Sequence, residues 1–337
     1  MLKKFFANGV RTRFIGTIAC GWFLLLAADR VDPLRVYQGG IVAIYVIAIA
    51  SVILLTGYSG QVSLGQGAFM AIGGFSAALS SKYWHLPFFL TLIVAVLAGA
   101  LAGALLGGGA ARLSGPYLAG ITLALAIGLP NLANQFSFLG GEQGLDYSVG
   151  DPPLRFGMDF TTDKWFFWIT GLAALITLWW TQNILMSRYG RTWRALRSNP
   201  AAAQLAGIHV GRVKVLAFTL SAGLAGLAGA LLSMTLFYAL PSAFPLSLSF
   251  ALVTGAVLAG VTHLLGSMLG AIVLVAIPAY AELLANKLGG AERVIANLPG
   301  LMISTLLILA VLFTPNGPGE QWRTFKEKKG KKDRQTR

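Results

Sequence analysis

Residues 39–56 read GGIVAIYVIAIASVILLT, a run without a single charged side chain. A helix needs about 20 predominantly apolar residues to cross the hydrocarbon core of a bilayer, so this run predicts a transmembrane helix. Similar runs recur along the 337-residue chain, in which 56% of the residues are hydrophobic and 11% are charged. Soluble domains carry about 25% charged residues. The composition therefore predicts an all-α integral membrane protein that folds as a polytopic bundle.

The apolar runs predict about ten transmembrane helices joined by short polar connections. They lie near residues 14–28, 39–56, 67–81, 87–111, 116–134, 165–184, 214–238, 248–262, 265–284 and 299–314. The first run could also be a signal peptide, because basic residues precede it and small residues end it. We favour an uncleaved helix, since the later spans count correctly only if it stays. Glycines at four-residue spacing, such as Gly99, Gly103 and Gly107, predict close helix packing in lipid.

The net charge of +14 comes from basic residues in loops and at the chain ends. The loop 186–213 holds five arginines and no acid, and the tail 315–337 holds eight basic residues against three acidic ones. An excess of Lys and Arg marks the cytoplasmic side of a membrane protein. Residues 1–13, the loop 186–213 and the tail are therefore predicted to be cytoplasmic, around a membrane domain at 14–314. This topology accounts for the positive net charge, so no nucleic-acid partner is needed to explain it. Membrane lipid is the expected surrounding.

Charged residues are absent from the middle of every predicted span. A charge at membrane depth usually serves proton or ion coupling, so its absence argues against an ion-coupled carrier and for energy supplied by another protein. The three histidines and Cys20 have no metal-site spacing, and we predict neither a metal site nor a catalytic site. No G-x-x-x-x-G-K-[ST] motif occurs, so this chain is not expected to bind ATP or any other cofactor.

The stretch LTGYSGQVSLGQGAFMAIGG, at 55–74, interrupts apolar sequence with glycines and with the uncharged polar residues Ser59, Gln61, Ser63 and Gln66. Irregular backbone at membrane depth is tolerated where protein buries it or where it lines a cavity. Broken helices of this kind often form solute sites in transporters. We predict a partly re-entrant, pathway-lining segment near 57–66. A plain cytoplasmic turn is the alternative.

A second polar stretch lies in the span at 116–134. It carries the uncharged residues Tyr117, Thr122, Asn131 and Asn134, and Pro130 should kink its helix. Such groups could bind a zwitterion while their apolar neighbours accept its side chain, which makes these four residues candidates for the same pathway. Hydrogen bonding between helices is the alternative explanation for each of them.

The cytoplasmic loop contains a short helix bounded by clear signals. Asn199 is a good N-cap, Pro200 suits the first helical position, and Gly207 suits the stop, which predicts a helix over 200–206. A capped helix among arginines is typical of a protein dock. A solvated loop, or one that binds lipid headgroups, is the alternative.

Four segments in order carry a family resemblance: LTGYSGQVSLGQGAF, RLSGPYLAGITLALA, LGGEQGL and RALRSNPAAAQLAGIHVGRVKVLAFTLSAGLAGLAGAL. From about residue 39 to residue 318, the chain closely resembles the M-type permease subunits of branched-chain amino acid ABC transporters. By this resemblance Ala201, Ala202, Ala203 and Gly207 match the motif that docks an ABC permease on its ATPase. The glutamate that usually opens this motif is replaced by Ala201.

The resemblance implies a permease subunit that is not itself an enzyme and that carries branched-chain or other apolar amino acids across the cell inner membrane. It implies a second, H-type permease subunit, two cytoplasmic ATPase subunits that bind ATP and Mg²⁺, and an extracytoplasmic solute-binding protein. Permeases for urea and short amides share much of the same pattern and are the alternative. An ATP-independent facilitator would need no docking helix.

Overall fold

A computed structural model describes residue 21, residues 32–110, 116–148, 161–260 and 263–287, and isolated positions from 298 to 312. The first and last predicted spans and both chain ends fall outside these ranges, apart from the isolated positions.

The described chain is almost entirely helical. Its α-helices, in chain order, are α1 Pro33–Val52, α2 Gln66–Trp84, α3 Phe88–Ala110, α4 Pro116–Gln135, α5 Thr162–Met186, α6 Arg188–Ser198, α7 Pro200–Leu205, α8 Val210–Thr235, α9 Leu246–Ala259 and α10 Gly266–Lys287. A π-helical segment, Ile53–Tyr58, prolongs α1, and two short strands, β1 Leu145–Asp146 and β2 Tyr238–Ala239, pair antiparallel. Every predicted span within the described ranges corresponds to one of these helices.

Six helices of the described residues are long and apolar enough to cross a membrane: Pro33–Tyr58, Phe88–Gly109, Tyr117–Gln135, Thr162–Met186, Val210–Thr235 and Pro241–Ala259. A shorter apolar helix spans Gly266–Ala281. The more polar α2 is not among the six. Most of its residues are buried by protein, Gln66 and Ser80 among them. The chain is a multi-pass membrane protein.

Small residues hold α8 against α2 and α3. A Cβ on Gly73 of α2 would lie 2.1 Å from the carbonyl oxygen of Gly226, and one on Gly99 of α3 would lie 2.5 Å from the carbonyl oxygen of Ala222. The helix backbones therefore touch where these helices cross, which confirms the close packing predicted from the glycine spacing. In the same way α9 and α10 form a hairpin in which Gly270 faces Gly255.

The contacts also give the relative directions of the helices. Gly39 and Gly40 of α1 meet Phe167 and Thr170 of α5, so the starts of these two helices lie together and the helices run parallel. Along α8, α3 runs antiparallel, because Gly99 lies near Ala222 whereas Gly107 lies near Val215. These directions agree with the alternation that the predicted order of spans requires.

Two local features differ from the sequence predictions. Helix α1 starts at Pro33 and not at residue 39, because proline fits the first helical turn and the polar residues up to Gln38 continue the helix beyond the apolar run. Helix α6 was not predicted. It has a polar face as well as an apolar one, and its four arginines break up any apolar run that could stand out as a span.

The loop between α4 and α5 is pinned to the end of the bundle opposite α6 and α7. The backbone N–H of Tyr147 donates to the carbonyl of Phe237 over 2.8 Å, and the Tyr147 hydroxyl lies 2.6 Å from Oγ1 of Thr91 at the start of α3. Burial raises the pKa of Tyr147 to about 12, against the lowering effect of the hydrogen bond with Thr91.

Candidate functional site

The segment after α1 turns back along α8 inside the bundle. Gln61 Nε2 donates to the carbonyl of Lys214 over 3.4 Å, and Gln66 Nε2 donates to Oγ of Ser221 over 2.9 Å. Lys214 and Ser221 lie about 10 Å apart along α8 at a helical rise of 1.5 Å per residue. Residues 59–65 therefore run back into the bundle, and α2 begins well inside it, as the predicted partly re-entrant segment requires.

Gln66 is the centre of a buried network of neutral groups. Ser221, whose Oγ accepts from Gln66, donates in turn to the carbonyl of Ser51 over 2.8 Å. Oγ of Ser51 lies 2.6 Å from the carbonyl oxygen of Ala48 and 3.4 Å from Oε1 of Gln66. The residues Ser51, Gln66 and Ser221 are each at most 1% exposed. A buried polar group is stable only when it is hydrogen-bonded, and this network joins α1, α2 and α8.

Side chains from two further helices hold the start of α2. The N–H of Gly67 donates to Oγ of Ser249 on α9 over 3.0 Å, and the N–H of Leu64 donates to Oγ1 of Thr122 on α4 over 3.0 Å. Ser249 thus caps a helix of which it is not a part, since the N-cap residue Gly65 has no side chain to do so. The irregular segment is therefore attached to both α4 and α9.

The predicted pathway residues fall into two groups. Ser59, Gln61, Ser63, Gln66 and Thr122 are buried and lie in or beside the re-entrant segment. Oε1 of Gln61 is buried there and has no hydrogen-bond partner among the residues that the structure describes.

The other three predicted residues, Tyr117, Asn131 and Asn134, lie on the exposed surface of α4. The amide of Asn131 donates only to the carbonyl of Ile127 on its own helix, over 3.0 Å. The described chain does not bring this second group against the first.

Sequence reasoning did not identify Ser51, Ser221 and Ser249 as partners of the re-entrant segment. The available signal was a hydroxyl within a predicted apolar span. That signal is weak, because a serine can also satisfy its hydroxyl on its own helix, as Ser80 does with the carbonyl of Ala77.

A cavity of about 320 Å³ opens between α3, α4 and α8 next to the re-entrant segment. Its walls include Leu106, Leu118, Ile121 and Phe218, and Thr122 is the polar side chain among them. The cavity wall is therefore apolar, and the hydroxyl of Thr122 already accepts from the N–H of Leu64 and lies within hydrogen-bond distance of the carbonyls of Leu118 and Ala119.

The coupling segment, residues 188–207, comprises α6, α7 and the turn that follows. Asn199 Oδ1 accepts from the N–H of Ala202 over 3.0 Å, so the predicted N-cap is confirmed. Helix α7 ends at Leu205, one residue before the predicted end, and Gly207 follows with a φ of +82°, where a residue with a side chain would be strained. Ala203 is buried, whereas Ala201, Ala202 and Leu205 face outward.

Comparison with known proteins shows which family the chain matches. The family described as "Branched-chain amino acid transport system / permease component" matches residues 39–312. The high-affinity branched-chain amino acid transport system permease protein LivM of Escherichia coli K12 is 29% identical over 324 residues, which cover 89% of this chain and 72% of LivM.

Two other relatives cover less of the chain. The ribose import permease protein RbsC of Haemophilus influenzae is 28% identical over 70% of this chain and 72% of its own length. The permease protein LivH of Salmonella typhimurium is 29% identical over 57% of this chain and 54% of LivH. No solved structure matched the chain. Because the family match spans most of its length, this chain belongs to the permease components of the branched-chain amino acid transport system.

Proposed function

We propose that this chain is one permease subunit of an ATP-binding cassette importer that carries branched-chain or other apolar amino acids into the cell. The observation that carries the proposal is the re-entrant segment with its neutral hydrogen-bonding network, in a chain that belongs to this permease family. Helix ends and neutral side chains can bind a zwitterion, but they give a charged side chain no counter-ion. Leucine, isoleucine and valine should therefore be carried better than lysine or glutamate.

The exposed polar face of α4 favours a second permease as partner. Tyr117, Asn131 and Asn134 are exposed on a helix that is apolar enough to lie in the membrane. Polar side chains at membrane depth usually face a protein or a wet cavity and not lipid. In this proposal an H-type subunit packs opposite α4, and the two chains together enclose the solute pathway. The relatives LivM and LivH are both named as branched-chain permease proteins, which is consistent with a pair of such chains.

Helix α7, with the turn that ends at Gly207, supports a docking role toward two cytoplasmic ATPase subunits that bind ATP and Mg²⁺. With Ala201 in place of an acid, position 201 offers no charged side chain, and an exposed apolar side chain of α7 can contact the ATPase instead. Leu205 is 91% exposed at the end of α7 and offers such a contact. The complete importer also includes an extracytoplasmic solute-binding protein. In this arrangement the chain lies in the cell inner membrane with both termini cytoplasmic.

A second candidate function is import of urea or short amides. The observation in its favour is that the buried network contains no charged group, which suits a neutral amide at least as well as a zwitterion. The two candidates differ in whether a charged carboxylate and ammonium must be stabilised.

The deciding experiment is reconstitution of the purified assembly in liposomes with one solute-binding protein held fixed. We expect co-purification with a second permease and with ATPase chains, and ATP-dependent uptake of leucine that excess valine inhibits and excess urea does not. Inhibition by urea alone would favour the second candidate. Active transport by this chain alone, without ATP, would contradict both.

A further inference from the structure

The end of α1 is held by an arginine of the coupling segment. Nη1 of Arg197, on the last turn of α6, donates to the carbonyl oxygen of Gly57 in the π-helical end of α1. The carbonyls in the last turn of a helix have no partner within the helix, and a cation is stabilised there by the helix dipole. The hydrogen bond is also charge-assisted, which makes it stronger than a bond between two neutral groups.

The aliphatic part of the same side chain packs on the re-entrant segment. A Cβ on Gly60 would lie 3.0 Å from Cγ and 3.3 Å from Cβ of Arg197. Gly60 has a φ of +72°, so glycine is needed here both for the backbone conformation and for the approach of Arg197. Arg194, one turn earlier, lies over the ring of Tyr58 at 6.0 Å from its centroid. One face of α6 therefore contacts the chain from Gly57 to Gly60.

The residues that α6 contacts, Gly57 to Gly60, lead directly into the buried network. Ser59 Oγ donates to the carbonyl of Leu55 over 2.7 Å, and Gln61 Nε2 donates to Ser59 Oγ over 2.8 Å. One turn before Arg197 on the same side of the helix, α6 is also fixed to the base of α8, because Nε1 of the fully buried Trp193 donates to the carbonyl of Val213 over 3.2 Å. Only Asn199 separates α6 from α7. A displacement of α7 must therefore move α6, and with it the residues that precede Gln61.

We propose that Arg197 is the positioning residue that connects the docking helix α7 to the re-entrant segment, so that movement of the ATPase subunits displaces the segment that carries Gln61 and Gln66. This inference rests on the proposed function, since it requires an ATPase at α7. It assigns to Arg197 a role that is separate from docking. Without Arg197 the ATPases still bind and hydrolyse ATP, but their movement no longer reaches the pathway.

The test compares Arg197→Met with Arg191→Met in the complete reconstituted assembly. Arg197→Met keeps the packing of the first side-chain carbons on Gly60 and removes the donor to Gly57. Arg191→Met removes the same charge from the same helix, where the guanidinium reaches only the nearby carbonyl of Met186 at 3.4 Å. The quantity measured is the number of ATP molecules hydrolysed per solute molecule imported, together with the amount of ATPase that co-purifies.

We expect Arg197→Met to raise the ATP-to-solute ratio by about tenfold, the factor that corresponds to about 1.4 kcal/mol. Bound ATPase should stay at the wild-type amount, Arg191→Met should leave the ratio unchanged, and Arg197→Lys should restore part of the coupling. An unchanged ratio in Arg197→Met would overturn the proposal, and so would loss of the ATPase, which would make Arg197 part of the dock itself.

If Arg197→Met does not assemble, Gly60→Ala tests the same contact from the other side, and a wild-type ratio in that variant would overturn the proposal. Absence of ATP-driven uptake by the wild-type assembly would instead refute the proposed function. The two failures are therefore distinguishable.

Discussion

At the scale of single residues, polar side chains of this protein lie in two different environments. Gln66 is buried and bonded across helices, whereas Asn131 is exposed and bonded only within α4. Substitutions should therefore distinguish residues that stabilise the subunit from residues that contact the solute or a partner. The first depend on buried hydrogen bonds, and the second depend on a surface that the isolated chain leaves open.

Replacing Gln66 by leucine should destabilise the isolated subunit, and replacing Asn131 by leucine should not. Gln66→Leu removes a buried amide that bonds Ser221, which should cost about 1–3 kcal/mol. Asn131→Leu changes an exposed helical position and should stay within about 0.5 kcal/mol of wild type. Thermal unfolding in detergent measures both. In the assembled importer we expect Asn131→Leu to reduce uptake, and full activity would remove Asn131 from the pathway.

Ionisation of Tyr147 should lower the free energy of unfolding of the protein at high pH. Its pKa in the folded protein, about 12, lies above the ordinary value of 10.0, because burial disfavours the phenolate. A raised pKa contributes stability that is fully present below pH 10 and is lost as the pH rises through 12. A tyrosinate absorbance titration should show a late-titrating component at high pH that Tyr147→Phe makes smaller. If the wild type and Tyr147→Phe give the same absorbance change per tyrosine at high pH, this tyrosine is not buried as described.

At the scale of elements, α8 is the helix around which the bundle is built, and its crossings with α2 and α3 are made by backbone. A Cβ on Gly229 would lie 1.8 Å from the carbonyl oxygen of Met70. By contrast, a Cβ on Gly171 of α5 would meet nothing within 4 Å. Glycines with identical helical conformations thus differ entirely in the space around them.

Gly229→Ala should destabilise the subunit, and the matched change Gly171→Ala should not. The added methyl group at residue 229 forces α2 and α8 apart, and overpacking of this kind costs about 1–3 kcal/mol. At residue 171 the methyl group enters open space, so only the better helix propensity of alanine remains. Unfolding midpoints of the two variants provide the measurement. Equal midpoints would mean that the α2–α8 crossing adapts to the extra volume.

Within the described residues, the apolar helices, their approximate limits and their packing mode could be predicted from the sequence. Apolar run length is set by the bilayer, and glycine spacing is set by close backbone approach. The partners of Gln66 could not be predicted, because Ser51 and Ser221 lie 15 and 155 residues away along the chain. For the same reason the Arg197 contact was missed, since an arginine in a basic loop is usually solvated. Such contacts depend on the tertiary arrangement and leave no local pattern.

At the scale of the whole molecule, the predicted orientation places α6 and α7 in the cytoplasm and the 3₁₀ segment Gly141–Gln143 outside. In a variant in which Cys20 is replaced by serine, Gln143→Cys and Gln204→Cys both place a thiol at an exposed position. An impermeant thiol reagent should label residue 143 in right-side-out membrane vesicles and residue 204 only in inverted ones. Labelling of both residues from the same side would contradict the orientation.

The backbone contacts at the α2–α8 crossing also limit how this protein can evolve. Neither Gly73 nor Gly229 can gain even a methyl group unless the helices move apart, because the nearest atoms belong to the opposing backbone and not to a side chain that could rotate away. A Cβ on Gly120 or Gly128 of α4 would meet nothing within 4 Å. In a saturation mutagenesis screen that scores folding of the isolated subunit, tolerated substitutions should therefore be rare along that crossing and frequent on α4. Altered solute preference should arise first on α4, where substitutions do not disrupt the packing of the helices.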